Sequence, residues 1–510
     1  MMNKVNGQEQ LLNLKREKDF SRQGITFHTR ANSYLYDTGT GKVVRLEDAT
    51  APIIDALFNK DIGLDEFKEL ISDQKLADSI ASFLEQEHLL RNPEITHFVD
   101  MKPFMSEEAL ACEQLIIELT GRCNLRCRYC TYGEHYEGTR EFTSEDIDFA
   151  TAKKAIDYAY SHRNMEVFAV TFYGGEPLIN FPVMKQCIDY CVTEYGETKI
   201  DFSFTTNLTL MTREIAEYLV EIPNMNIVVS IDGPENIQNK SRVFANGKPS
   251  FDVAYRGLKL LCDAIKKYDS KTQLLFSSVF MPPFTKERFD EINDFFESLD
   301  FLPAGTTVSA TYPAPGSIPE SVFEELREQN YDSSKDISWV DWAVNKIEDS
   351  NDLPQTPNLY TVFLQQILVA IHQRRLVSEP MDRYPYNACC IPIQRRLYVC
   401  TDGTYKICEK IGESPSIGSV DTGLDFEAIS EYYLRQYESR SINDCSKCWA
   451  VTLCDICYAE CYNENGIDLE KKRKLCKDTR DSALNKLCVY HDVMERYPDI
   501  IKLISMLERH

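Results

Sequence analysis

Gly121-Arg-Cys-Asn-Leu-Arg-Cys-Arg-Tyr-Cys130 is the stretch on which the reading of this 510-residue chain turns. It sets Cys123, Cys127 and Cys130 in a C-x3-C-x2-C array. Three thiolates on one tight loop supply three of the four protein ligands that a cubane iron–sulfur cluster ordinarily takes. One iron is left open, and a small chelating cofactor docked on it can receive an electron from the cluster. A zinc knuckle is the plainer use of clustered cysteines, but zinc sites run in paired C-x2-C units with four protein ligands. Buried structural cysteines are the other plain reading.

Around this array, from Leu115 to about Pro313, strands and helices alternate, the pattern of a parallel α/β sheet. The predicted strands are Leu115–Thr120, Val167–Phe172, Ile200–Thr205, Asn226–Ile231, Leu274–Phe280 and Thr306–Thr311. Apolar residues at helical spacing between them, such as Ala152, Ala155, Ile156 and Ala159, bury one face on the sheet. The same spacing assigns Cys187, Cys191 and Cys262 to the core, and Cys112 has no partner spacing. In parallel barrels ligands sit at the carboxyl ends of the strands. Gly174, Gly175, Glu176 and Pro177 lie there, two glycines letting backbone approach a ligand and Glu176 offering an acceptor for an ammonium group. Thr205 and Asn207 end the third strand, and Ser230 and Asp232 the fourth.

The three-cysteine array with Tyr129 before its last cysteine, followed by Gly-Gly-Glu-Pro, resembles the radical S-adenosylmethionine (SAM) superfamily. The resemblance implies a partial (β/α)6 barrel and SAM bound through its amino and carboxylate groups at the open iron of a [4Fe-4S] cluster. Reduction then releases a 5′-deoxyadenosyl radical. It further implies that Gly174 to Pro177 hold the amino group of SAM, that Ser230 touches the ribose, and that Arg242 pairs with the carboxylate, for which a guanidinium fork is suited.

Ahead of the barrel, residues 1–24 are polar without sustained periodicity and are expected as a mobile tail or a poorly determined helix. In 25–95, two short strands flank Asp37-Thr-Gly-Thr-Gly41 as a hairpin, and helices are expected near 47–59, 64–73 and 74–90, the last with Leu76, Ile80, Phe83 and Leu84 on one face. This winged-helix-like order resembles the PqqD-like recognition domain of peptide-modifying enzymes, which adds a leader peptide to its sheet edge as an extra strand. A generic winged helix that only packs on its neighbour is the plainer reading. Residues 96–114 read as a linker and 314–383 as a helical bridge.

From 384 to 510 the cysteines crowd again, and the segment resembles the SPASM extension with two auxiliary four-iron clusters. The matching features are Cys390, Gly403-x4-Cys408, Cys445-x2-Cys448-x5-Cys454 and a late cysteine. The family's run continues C-x3-C, whereas here Cys454 is followed by Cys457 and then Cys461. The resemblance allocates Cys390, Cys408 and Cys457 to the first auxiliary cluster, with Cys400 or Cys389 as fourth ligand. It allocates Cys445, Cys448, Cys454 and Cys476 to the second, which makes three [4Fe-4S] clusters in all. Two C-x2-C units are also what a zinc ribbon uses. Cys461 and Cys488 stay unassigned.

The chain carries 56 Lys and Arg against 80 Asp and Glu, a net charge of −24, which argues against nucleic-acid or anionic-membrane partners. No apolar run approaches the ~20 residues of a membrane span. Eighteen cysteines without an export signal suit metal or redox chemistry in the cytoplasm. Taken together, these features resemble maturases that install thioether links in ribosomally made, cysteine-rich precursor peptides held by their leader and reduced by a flavodoxin or ferredoxin. Glu409, next to Cys408, stands where related sulfatase-maturing enzymes carry a carboxylate base; a surface salt-bridging glutamate is the plainer reading. The alternatives are a peptide maturase forming carbon–carbon links, an anaerobic sulfatase-maturing, formylglycine-generating enzyme, and a non-catalytic iron–sulfur scaffold.

Overall fold

The computed structural model describes the chain apart from residues 1–5, 102–104, 134–140, 315, 333, 335, 351–358, 385–389, 391, 458–459 and 501–510, so Cys389 lies outside the described residues. Strands β1 (Gly24–His28), β2 (Ser33–Asp37) and β3 (Val43–Leu46) form an antiparallel sheet in the order β1-β2-β3. The hairpin between β2 and β3 turns through Gly41 in the left-handed region at φ 73°. Helices α2 (Ala51–Phe58), α3 (Leu64–Leu70) and α4 (Gln74–Gln86) follow. Asp73 caps α4, accepting from the amides of Lys75 and Leu76. Its buried face is Ala77, Ile80, Ala81 and Leu84, while Phe83, expected on that face, stands 42% exposed.

Of the two readings offered for the start of the chain, a helix forms among the described residues. Gly7–Arg16 is a helix, α1, whose Leu11 is fully buried in the same core as Leu35, Ile54 and Phe67. It sits flush on α4 because residue 7 is glycine: a Cβ there would lie 2.5 Å from the Ala77 carbonyl oxygen. The Gly7 amide donates to the Asp78 carboxylate at 2.8 Å.

The barrel consists of six parallel strands in sequential order: β4 (Gln114–Thr120), β5 (Phe168–Gly174), β6 (Ile200–Thr206), β7 (Met225–Ser230), β8 (Gln273–Val279) and β9 (Thr307–Thr311). Helical connections bury their apolar stripes on it, Cys187, Cys191 and Cys262 among them, and Cys112 is buried as well. The sheet does not stop at six strands. Strand β10 (Arg396–Val399) pairs parallel to β4 from Arg396 opposite Gln114 to Val399 opposite Ile117, and β11 (Tyr405–Lys406) pairs antiparallel to β10. A hairpin from the cysteine-rich segment thereby covers the edge β4 would otherwise expose, removing a template for wrong pairing.

The small N-terminal sheet packs against the C-terminal helix Leu469–Arg496. Phe27 and Tyr34 stack at 5.2 Å and both rings meet His491, while Glu495 accepts from Tyr34 at 2.5 Å and from Thr29. Tyr36 and Thr38 hydrogen-bond Thr452 and the Trp449 carbonyl, both at 2.6 Å, inside the Cys448–Cys454 loop. Among the described residues no helix is long and apolar enough to cross a membrane.

Candidate active site

The three-cysteine loop leaves β4 at its carboxyl end, as the strand order requires for a ligand site. It is held as a strand-like segment against residues 241–245: the amides of Arg126 and Arg128 donate to the carbonyls of Val243 and Ser241 at 2.8 and 2.9 Å. A β-bridge joins Leu125 to Phe244. Asn124 ties the loop to the end of β6 through Asn207 and Thr209. The thiols of Cys123, Cys127 and Cys130 interact electrostatically with one another, and Arg242 faces all three. Burial pushes Cys123 up to about 11 and Cys127 up to about 12, so as free thiols they hold their protons, and a metal must displace them.

The Gly-Gly-Glu-Pro loop lies directly on this one. A Cβ at Gly175 would lie 2.2 Å from the Arg122 carbonyl oxygen and 3.0 Å from the Cys123 Cβ, so only glycine lets the two backbones pass. The Glu176 carboxylate, 1% exposed, turns inward. It accepts from the Leu178 amide, the Thr206 hydroxyl at 2.8 Å and the Asn207 amide at 2.8 Å, bracing the loop to the end of β6. Burial raises its pKa above the ordinary glutamate value. The ammonium acceptor expected there is thus already engaged with protein donors. What faces outward at this loop is backbone.

Beneath the loop a buried triad joins three elements. The Tyr129 hydroxyl, flanked by both Asp232 oxygens at 2.9 and 2.7 Å, donates to that carboxylate and accepts from Arg242 Nη1 at 2.6 Å. Asp232 also accepts from the Val279 amide at 3.1 Å and stands 3.9 Å from the guanidinium. Arg242 is 8% exposed, and its buried Nε–H has no partner among the described residues. One Nη1–H of the fork is therefore committed to the triad, and the buried Nε–H remains for an acceptor. Ser230 is buried at the end of β7, and Thr205 is half-buried near the end of β6. Helix Glu320–Glu328, expected as part of a bridge, leans on the cysteine loop: Glu325 pairs with Arg128 at 2.6 Å, and Val322 packs on Tyr129.

Farther along, Cys445, Cys448, Cys454 and Cys476 line one cavity of about 370 Å³. Cys461, unassigned from its spacing, is fully buried beside them and interacts electrostatically with Cys454 and Cys476. Of the other set, Cys408 lies near Cys390, and burial raises its thiol to about 11. Cys400 occupies the turn of the β10–β11 hairpin, its carbonyl accepting from Gly403 at 3.0 Å. Glu409 is not a surface residue: its side chain is 12% exposed and lies 3.7 Å from the Arg396 guanidinium on β10. Cys488 faces the N-terminal sheet at His28, away from every cysteine cluster.

At two of the three implied sites the residues suit an iron–sulfur group. Three thiols share one loop beside a glycine cradle, and four more stand around a cavity rather than closing on a point. Among the described residues no group of three or more His, Cys, Asp or Glu converges as it would around a single ion.

A parallel six-stranded partial barrel with a three-cysteine loop at its carboxyl edge is the radical SAM α/β fold, and the chain carries a radical SAM domain. Residues 117–296 match the family model of the Radical SAM superfamily. Over 299 residues, 55% of this chain and 60% of the relative, the sequence is 24% identical to the radical SAM cyclopropyl synthase TigE of Paramaledivibacter caminithermalis. Over 140 residues, 27% of this chain and 34% of the relative, it is 32% identical to the serine-type anaerobic sulfatase-maturating enzyme of Bacteroides thetaiotaomicron. The matched segments thus span about a third to three fifths of these relatives' length. The solved structure of native anSMEcpe with bound AdoMet superposes with a TM-score of 0.51 at 17% identity, covering 77% of this chain and 99% of that one, which is a likeness of fold.

Proposed function

We propose that this chain is a radical SAM maturase that installs thioether cross-links in a ribosomally made, cysteine-rich precursor peptide, captured by its leader. The observation that carries the peptide substrate is the free edge of the N-terminal sheet. Its β1 side is covered by the C-terminal helix, whereas β3 borders a groove of about 220 Å³ lined by Val44, Leu46, Ile54, Ile80 and the exposed Phe83. An added strand would take its main-chain hydrogen bonds from β3 and place alternate side chains in that groove.

At the three-cysteine loop, Cys123, Cys127 and Cys130 would hold the cluster that, with SAM bound, supplies a 5′-deoxyadenosyl radical. The free Nε–H of Arg242 offers a donor for the SAM carboxylate, and the backbone of Gly174 and Gly175 offers carbonyl acceptors for its ammonium group. Ser230, at the end of β7, would touch the ribose, and Asn207, at the end of β6, would lie beside the bound cofactor. Joining carbon to sulfur from C–H and S–H removes two electrons and two protons. One of each leaves as the abstracted hydrogen atom. The remaining proton would pass from the substrate thiol to Glu409 beside Cys408, and iron–sulfur clusters held by the cysteines of the C-terminal segment would supply the acceptor for the remaining electron. A flavodoxin or ferredoxin would supply the reducing equivalent in the cytoplasm.

The test is co-expression with a short cysteine-rich peptide encoded beside this gene. The expected product is lighter by two hydrogens per link, with the linked cysteine no longer alkylated. Similarity to a sulfatase-maturating enzyme favours formylglycine formation as the second reading. A mass loss with every cysteine still alkylated would select that reading, or a carbon–carbon link.

A further inference from the structure

Lys472 is 2% exposed, and its Nζ lies 3.5 Å from Cys445 Sγ and 5.7 Å from the Tyr437 ring centroid. Among the described residues no carboxylate pairs with it. Lysine is almost never fully buried without a partner, because an ammonium stripped of water needs a counter-charge. The neutral thiol and the aromatic face are poor substitutes for one.

The sequence around it has a helical logic. Lys472, Cys476 and Arg480 recur at i, i+4 and i+8 on the helix Leu469–Arg496, so they stand one above another on one face. All three line the cavity with Cys445, Cys448 and Cys454. The Arg480 guanidinium interacts electrostatically with the Cys448 thiol. One cation thus sits a turn before the cysteine and one a turn after. Four thiolates around a [4Fe-4S]2+ core carry a net double negative charge. Two cations on one helix face match it.

We infer that Lys472, seconded by Arg480, is a positioning residue for the second auxiliary site: the buried counter-charge of its cluster, which raises the reduction potential of that cluster above what the four cysteines alone would set. The effect is Coulombic. Reduction adds a negative charge beside a cation held where water cannot screen it. The ammonium needs the cluster for its burial as much as the cluster needs the ammonium.

This inference rests on reading the cavity as a cluster site, and the two are tested apart. Iron content of the reconstituted full chain tests the cavity: the Cys445→Ala/Cys476→Ala double variant should lose about four irons of about twelve. Unchanged iron would overturn the cluster and the inference with it. Redox titration followed by electron paramagnetic resonance tests the charge on wild type, Lys472→Met, Lys472→Arg and Arg480→Gln. At the wild-type midpoint the Met variant should lower the reduced-to-oxidised ratio of one cluster at least tenfold, about 59 mV for a one-electron couple, leaving the others unmoved. The Arg variant should stay within about twofold, and Arg480→Gln, at a partly exposed position, should move the same couple the same way by less. Iron lost from the Met variant but kept in the Arg variant would report the same need for charge as occupancy. Wild-type midpoints with full iron in Lys472→Met, or equal iron loss in the Met and Arg variants, would overturn the inference.

Discussion

Tyr129 lies between Cys127 and Cys130, and its hydroxyl joins Asp232 to Arg242. Tyr129→Phe keeps the ring and removes that bridge, leaving a buried carboxylate and guanidinium at 3.9 Å without their shared partner. The expected cost is about 1–3 kcal/mol of unfolding free energy, read from denaturant titration of the holoenzyme; an unchanged midpoint would show that the triad is not under load. At Glu409 the expected outcome of Glu409→Gln is a loss of link formation of about 100-fold or more, the usual scale for a general base. Linking at the normal rate would leave Glu409 only its place beside Arg396. The cysteine spacing was legible because ligands of one cluster must share a short loop. The inward turn of Glu176 was not, since its partners Thr206 and Asn207 come from another strand, about thirty residues on. Cys461 was missed for the same reason: its neighbours are set by the fold, not by its spacing.

The barrel strands were read within one or two residues of their observed ends, because each is a short apolar run bounded by turns and helices. The placement of two elements was not legible. Helix α1 shows a single fully buried leucine, too little for a periodic signal, and its place is fixed by a glycine contact with α4. Pairing of β10 with β4 spans about 280 residues and left no local trace. The β3 edge gives the test at this scale. Phe83 is exposed at the groove, so Phe83→Asp should leave stability within about 0.5 kcal/mol while lowering leader affinity at least tenfold, measured by fluorescence anisotropy. Equal affinity would place leader capture elsewhere.

Across the whole molecule, the N-terminal sheet, the barrel and the cysteine-rich segment are one contact network, and His491 sits where the first meets the last. Burial, then the Arg374 guanidinium, lowers its pKa from 6.5 to about 4 against the opposing Glu495 carboxylate. Tyr34 and Phe27 cover it from the sheet, Tyr490 from its own helix, and its buried Nε2 has no partner among the described residues. The unfolded histidine binds more protons than the folded one between these two values. Stability is therefore full above pH 6.5 and falls as pH drops toward 4, with a limiting slope of about 1.4 kcal/mol per pH unit lessened by partial exposure. Thermal unfolding of wild type and His491→Phe between pH 7 and 5 should show the decline only in wild type; parallel curves would assign it to other groups. The central claim is that the loop from Gly121 to Cys130 is where SAM is cleaved. It is tested most directly by 5′-deoxyadenosine formation under reducing conditions in the Cys123→Ala/Cys127→Ala/Cys130→Ala triple variant, with iron counted in the same sample. The result expected is loss of about four irons and of all 5′-deoxyadenosine while the remaining iron stays bound; 5′-deoxyadenosine formed at the wild-type rate would contradict it.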